Sequence, residues 1–427
     1  MIRPLRVTLV ITTLLLLLPS IGLRLFPRRN ATGLDRLLGT AALLQSFAAH
    51  PAQGPPPLWR ERLGAERSRQ LWAVQNRIWW QYWGAHGDAG AYLVLQAPST
   101  IPLPPNGLRV DDLLVVAPDP LARQLLLDRL RVRQRAPRGL AQRCGQELSQ
   151  REAVFWTPAA LGQMLGPLSP LVQELQQGCL QLQSQGQALV LHGEAEATAG
   201  LWAPAPPALS PPARSPLPAA DLLQLQGDRL ALLSRGLLAS QLVREALAQR
   251  YGLGSAQQRL LQSVPFLLRL RAVPEGTFQA ALDLQLQVGA DRRGWQALLA
   301  RLRQALLDQG LEEQPAANPV EGSSWSRDGS TILGGWRWLK PSRSGADSPL
   351  LLFLGPMPRE LPPARLLQGQ PWQLSLRPRA MAAVGLLPQD LPLLVRQAQQ
   401  VQLLGRSAGG RSGERQSALA GRLDLQP

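Results

Sequence analysis

The segment "VLHGEAEA", residues 190 to 197, carries the densest set of groups able to do chemistry in this chain. Read as a strand, it places His192, Glu194 and Glu196 on one face at period two. One imidazole and two carboxylates on one side could ligate a divalent metal. The opposite face carries Leu189, Leu191, Ala195 and Ala197, which equally describes a strand with its wet face outward. In "GAHGDAG", Asp88 could orient the ring of His86; the ordinary alternative is a polar turn. His50 completes a set of only 3 histidines, which restricts general-base chemistry. No G-x-S-x-G elbow, H-E-x-x-H helix, P-loop or G-x-G-x-x-G fingerprint is present. "GRSAGGRSG" (405 to 413) lacks the lysine of a phosphate cradle and reads as a hairpin loop. No catalytic residue is therefore assigned and no cofactor is expected. An enzyme, a metal-dependent or other hydrolase built on His192, Glu194 and Glu196 or on His86 and Asp88, is the alternative to a non-catalytic protein.

Aromatic content is 5%, yet "RIWWQYWG" (77 to 84) holds four rings. On a helix from about Leu58 to Trp83, Trp72, Trp79 and Trp83 share one face with Leu71, Ile78 and Tyr82, as a buried stripe does. Trp80 stands off that stripe. It is expected either as an exposed ring touching a ligand or partner, or as a ring covered by a neighbouring element. The two cysteines, Cys144 and Cys179, are outside any C-x-x-C pattern, and a disulfide in an exported domain and two buried thiols both fit.

The 45 Lys and Arg exceed the 29 Asp and Glu, for a formal charge of +16. Lys340 is the only lysine, and the arginines are scattered through helical patterns without interleaved aromatics. A solvated basic surface accounts for this better than nucleic-acid binding. At the N-terminus, Arg3 and Arg6 precede an apolar run from Val7 to Leu23. Extended to Phe26, the run has the length of a bilayer-spanning anchor. A signal peptide cleaved near Ser20-Ile21-Gly22 is the second reading. Arg24, Arg28, Arg29 and Arg36 also allow an inverted topology. The expected location is a membrane, with a single pass and the soluble part exported.

Residues 33 to 49 read as an amphipathic helix, and "HPAQGPPP" ends it. Several later segments repeat. "LLVVAPDP" (113 to 120) parallels "LLLFLGPMP" (350 to 358), and "VFWTPAAL" with "LVQELQQ" parallels "LSLRPRAM" with "LVRQAQQ". "LVLHGEAEA" and "LAGRLDLQ" close the two copies as alternating strands. "RLALLSRGLLASQLVREAL" (229 to 247) reads as a looser strand, turn and helix, and "PFLLRLRAVPEGTFQAALDLQLQVG" (265 to 289) as a hairpin with one wet face. Residues 291 to 313 form an amphipathic helix, and 318 to 330 a surface loop. The "APAPPALSPPARSPLP" segment is a linker.

The organisation expected is α+β, with an N-terminal membrane helix (or signal peptide) over 1 to 29 and the helix and Pro-rich connector over 30 to 57. A first lobe follows over 58 to 200, the linker over 201 to 220, and a second lobe with two repeat-like units over 221 to 427. Duplicated strand, turn, helix and hairpin units with antiparallel sheets make up the lobes. Apolar residues on both faces of "YLVLQA", "LLVVA" and "LLLFL" describe either an apolar groove or central strands covered on both sides.

The N-terminal anchor, "LSLRPRAMAAVGLLPQDLP" and "PFLLRLRA…GTFQAALDLQL" together resemble membrane-anchored cyanobacterial proteins of unknown function, over about residues 90 to 427. That resemblance implies an envelope or thylakoid-facing location and supplies no site residues. The function expected is a membrane-tethered, non-catalytic scaffold or accessory protein, whose partners are the membrane, through the N-terminal helix, and a protein or a lipid.

Overall fold

Aromatic and β-branched side chains suit a pleated surface better than a helix, and the Trp-rich stretch follows that rule. In a computed structural model, residues 78 to 84 form a strand, and its alternation sorts the rings. Trp79 faces one side, while Trp80 and Tyr82 face the other. The helix expected over 58 to 83 is thus corrected to two short helices and a strand, α2 (Pro57–Leu63), α3 (Ala65–Ala73) and β2 (Ile78–Gly84). Trp72 and Trp79 do meet, with ring centroids 6.4 Å apart, because α3 packs on the sheet and not because they share a helix face. The helix expected over 33 to 49 breaks at Gly39 in the same way, into α1 (Leu34–Leu38) and β1 (Ala41–Ala48).

The structure describes residues 29–75, 77–84, 90–165, 175–196, 209–231, 233, 241–262, 264–273, 279–289, 291–315, 321–327, 329, 331–339, 349–358, 372–387, 398–407 and 416–425. The apolar N-terminal run, His86, Asp88 and the turn "VPEG" from Pro274 lie outside them. Among the described residues no helix is long and apolar enough to cross a membrane.

The fold is α+β. The further elements of the first half are β3 (Tyr92–Gln96), β4 (Gly107–Val110), β5 (Leu113–Val116), α4 (Pro120–Arg131), α5 (Leu140–Gln150), β6 (Ala153–Trp156), α6 (Pro158–Leu165), β7 (Gln177–Gln185) and β8 (Ala188–Glu196). The second half begins with β9 (Asp221–Gly227), α7 (Gln241–Tyr251), α8 (Ser255–Gln262), β10 (Phe266–Ala272), β11 (Ala280–Gln287) and α9 (Arg292–Asp308). It continues with β12 (Glu312–Pro315), β13 (Gly322–Arg327), β14 (Thr331–Trp338), β15 (Pro349–Leu354), β16 (Trp372–Leu376), α10 (Pro378–Ala383), β17 (Ala398–Ser407) and β18 (Gln416–Leu425). The hairpin β10–β11 and the helix α9 fall where the alternation and the 3.6-residue period put them. Of the strand, turn and helix read over 229 to 247, the strand lies earlier, as β9 ending at Gly227, and the loop read at 318 to 330 contains β13 with a buried Trp325.

Among the described residues 18 strands join one sheet, and their pairings are antiparallel. Followed from edge to edge, the order is β4-β5-β3-β2-β1-β6-β7-β8-β18-β17-β16-β9-β10-β11-β15-β14-β13-β12. The sheet crosses the Pro-rich segment without interruption, through the pairing of β8 with β18. There His192 opposes Ala420. Gln177 and Gln400, which share the Q-Q position of the two helical motifs, oppose Glu196 and Asp424 in the neighbouring hairpins. His192 and Ala420 lie four residues before those two, so topologically matching strands cross at a pseudo-two-fold axis.

One face of the sheet, here the front, carries Leu44, Tyr82, Tyr92, Val115, Phe155 and Cys179 in the first half, under α1, α4 and α5. The back face there is closed by α2 and α3, where Trp59, Trp72 and Trp79 pack edge to face and Phe47 stacks on Trp79. In the second half α9 and α10 close the back, with Trp295 and Leu299 of α9 and Met381 of α10 set over Phe266, Leu286 and Leu350. Two glycines are forced by close approach: the indole of Trp156 lies over Gly178 and that of Trp372 over Gly405, leaving no room for a Cβ at either.

Candidate functional site

The His192, Glu194 and Glu196 side chains share the front face of β8, but α5 reaches over them. Arg143 forks onto Glu194, with Nε and Nη2 at 2.7 and 2.9 Å from the two oxygens, and Nη2 stands 4.0 Å from Glu196. The Glu194 hydrogen bond holds the guanidinium pKa above its ordinary value. A fixed cation within reach of both carboxylates competes with a divalent ion for the same charge. Among the described residues no group of three His, Cys, Asp or Glu side chains gathers at metal-binding distance. The geometry of the trio is that of a fastened helix.

The fastening has a covalent half. Cys144, next to Arg143 on α5, is joined to Cys179 on β7, whose cross-strand neighbour is Glu194. The disulfide holds α5 on the front face with a Cα–Cα distance of 5.7 Å, and the ion pair extends the clamp to β8. Trp80 belongs to the same layer. It is 2% exposed, and its Nε1–H donates to the Leu148 carbonyl of α5 at 2.8 Å. Of the two readings of this ring, the structure has the covered one; an exposed contact at Trp80 is corrected by α5 lying over it.

The groove reading of the doubly apolar strands is corrected likewise. Tyr92, Val94, Leu113 and Val115 pack into the front core and Leu93, Leu95, Leu114 and Val116 into the back core, so β3 and β5 are covered on both sides. On β15, Leu350 and Leu352 face the back core while Leu351 and Phe353 are buried opposite.

A cleft does open at the margin of the back core, where β3 leaves the sheet beside the end of α3. Its volume is about 420 Å³. Leu71 and Val74 of the α3 end, Leu95 and Ile101 form an apolar wall, and Arg77 and Asp112 bring charge. Val74 is 74% exposed. Gln75 also lines the space; the residue is 7% exposed, and its Nε2 donor has no hydrogen-bond partner. An unmet amide donor costs about 1 to 3 kcal/mol; the amide is itself buried, and only by turning toward the cleft would it meet a ligand acceptor. Behind the wall, Leu95 and Ala97 belong to the cluster of Trp59, Trp72 and Trp79.

No motif announces this cleft. Its residues come from a helix end, a strand end and two turns, in two stretches, Leu71 to Arg77 and Leu95 to Ile101, with Asp112 added from a distance. Comparisons with protein-family models, with curated proteins and with solved structures find no match.

Proposed function

We propose that this chain is a non-catalytic accessory protein, held at a membrane by its N-terminal apolar segment, whose α3–β3 cleft takes an apolar ligand bearing one hydrogen-bond acceptor. The observation that carries this reading is the pairing, in one open cleft, of an aliphatic wall with the unpartnered Gln75 donor and the Arg77 cation. That combination suits the end of an acyl chain and its polar head. The anchor rests on the Val7 to Leu23 run and its flanking arginines. The Cys144–Cys179 disulfide supports an exported, oxidising setting for the folded part. The mirrored strand order and the repeated "TPAAL" and "RPRAM" turns support internal duplication as the origin of the two halves.

The test is calorimetric titration of the full chain in mild detergent with decanoate. Wild type should bind one equivalent, Arg77→Ala should weaken binding about tenfold, and Leu71→Trp should abolish it by filling the wall. Equal binding by wild type and Leu71→Trp, or none by wild type, removes the cleft from the proposal.

A further inference from the structure

We infer that the outer surface of α4, together with the arginine-rich segment that follows it, lies against anionic lipid headgroups. This rests on the membrane-tether reading for its orientation but not for its chemistry. The segment "RVRQRAPR" (131 to 138) sets Arg131, Arg133, Arg135 and Arg138 in eight positions, and all four are exposed. Only Arg131 is drawn to a carboxylate, Asp128 at 3.0 Å, in an exposed pair of little strength.

Apolar groups accompany the charge. The inward side of α4 buries Ala122, Leu126 and Leu130. Its outward side presents Leu121 and Leu125, and Val132 follows at the helix end; Leu121 is 69% and Val132 68% exposed. At about 100° per residue, Leu121, Leu125 and Asp128 fall within about 60° of one another. Exposed leucines beside a cationic run are the signature of a surface that enters the headgroup layer, where the guanidinium groups meet phosphates and the apolar side chains the acyl boundary. Nucleic acid satisfies the cations but offers nothing to Leu121 and Leu125.

The chain's own path decides which occupant is near. The described structure starts at Arg29, and 29 to 31 run antiparallel to 134 to 136. Asn30 bridges Arg135, Ala31 N–H donates to the Gln134 carbonyl at 3.1 Å, and Ala136 N–H donates to the Arg29 carbonyl at 3.0 Å. The residue that follows the apolar segment in sequence is therefore held against the arginine-rich segment itself. The run ends, at Leu23 to Phe26, three to six positions before Arg29 in sequence, so a bilayer that receives it is tethered by a short stretch to the strand beside Arg135.

The experiment is amide hydrogen exchange of the full chain in nanodiscs of phosphatidylcholine alone and of phosphatidylcholine with phosphatidylglycerol. Exchange over 121 to 138 should slow severalfold with the anionic lipid. The R131Q/R133Q/R135Q/R138Q variant should lose that difference, since each arginine near an anionic surface strengthens association roughly fivefold. Raised salt should shrink it too. A chain that is retained in the discs yet exchanges identically over 121 to 138 in both lipids overturns the inference and leaves the anchor standing. Should the chain fail to enter discs at all, the tether reading fails, and flotation with phosphatidylglycerol vesicles decides the surface. Flotation by wild type but not by the variant supports it; no flotation, or protection by an oligonucleotide alone, overturns it.

Discussion

Two rows of side chains, one in each half of the front face, occupy matching places in the sheet and have opposite chemistry. Three residues before Pro158 stands Phe155, and the cross-strand row from it runs through Leu44 and Tyr82 to Tyr92. Three residues before Pro378 stands Ser375, and the matching row runs through Gln224 and Arg269 to Asp283. Tyr82 and Tyr92 meet edge to face, with centroids 5.2 Å apart. Arg269 and Asp283 meet as an ion pair at 3.1 Å, joined by Arg271 at 2.6 Å. The connections explain the difference. Residues 117 to 152, between β5 and β6, carry α4 and α5 back over the sheet. The much shorter stretch 355 to 371, between β15 and β16, begins with Pro356, whose carbonyl accepts from Arg271. Beneath the apolar helices α4 and α5 the strands present rings; the matching row of the second half presents hydrogen-bonding groups that satisfy one another.

Part of that polar row is closed over by the Pro-rich segment. Gln400 and Gln402 both donate to the Ser215 carbonyl, at 2.7 and 2.6 Å, and Arg377 donates to the carbonyls of Leu217 and Ala219. Leu209 packs on Ala418 and Ala420. The stretch expected to separate two lobes is, over its described part, a strap across the sheet's front. Proline suits that role, since it has no N–H that would need an acceptor and it holds the chain extended.

The contrast can be broken at its charged end with the largest effect. Asp283 is 1% exposed and pairs with two guanidinium groups, so Asp283→Ala should cost about 3 to 5 kcal/mol by leaving Arg269 buried and Arg271 half-buried without it. Urea denaturation measures the loss, and hydrogen exchange should localise it to β10 and β11 with α5 unchanged. A loss below 1 kcal/mol would mean that the row is wet in solution and that the two halves differ less than their burial suggests.

At the other end, Cys144→Ser with Cys179→Ser opens a crosslink between residues 35 apart in sequence. Chain entropy puts its contribution at about 3 to 4 kcal/mol. Here the loosening should appear in α5 and β7, with β10 and β11 spared. If both variants loosen both halves alike, the sheet is one cooperative unit and the helix layer is not what sets the first half apart.

How far these differences could be read beforehand varies by element. The hairpin β10–β11 was legible because "LDLQLQ" alternates strictly, but the polar face expected in water is buried, with Asp283 and Gln285 inside. The turns at Pro158 and Pro378 were legible because the two copies keep a proline opening a helix after a strand. β1 and β2 were not, because both of their faces are buried and alternation vanishes. In β1 every residue from Ala41 to Ser46 is buried, so apolar spacing there fits a helix as well as a strand. Aromatic enrichment was the one local signal for β2. The Arg143–Glu194 pair and the Gln75 cleft were illegible for a different reason: each joins residues whose proximity is created by the packing of a helix on the sheet, not by any spacing along the chain.

The smallest expected effect concerns a single carboxyl that the first half lacks. Asp221 opens β9 where Ala41 opens β1; it is buried, and its Oδ2 has no hydrogen-bond partner. Burial raises its pKa above the ordinary carboxylate range, Arg269 opposes the shift, Asp283 adds to it, and Arg271 and Arg377 oppose it. Between the unfolded and the raised folded pKa the native state holds more protons than the unfolded one, so stability declines as pH rises through that window. Below the unfolded pKa the penalty is absent, and above the folded pKa it is complete. Asp221→Asn keeps the shape and removes the charge, so the variant should be the more stable protein at neutral pH and lose its advantage in acid. Urea midpoints of both proteins between about pH 3 and pH 7 measure this difference directly. An advantage that grows toward low pH, or a variant less stable at neutral pH, would show the three arginines outweighing desolvation. The charged row would then be an ion-pair network that includes Asp221 as a working member, and the polar half would be held by charge to the same extent that the apolar half is held by its helices.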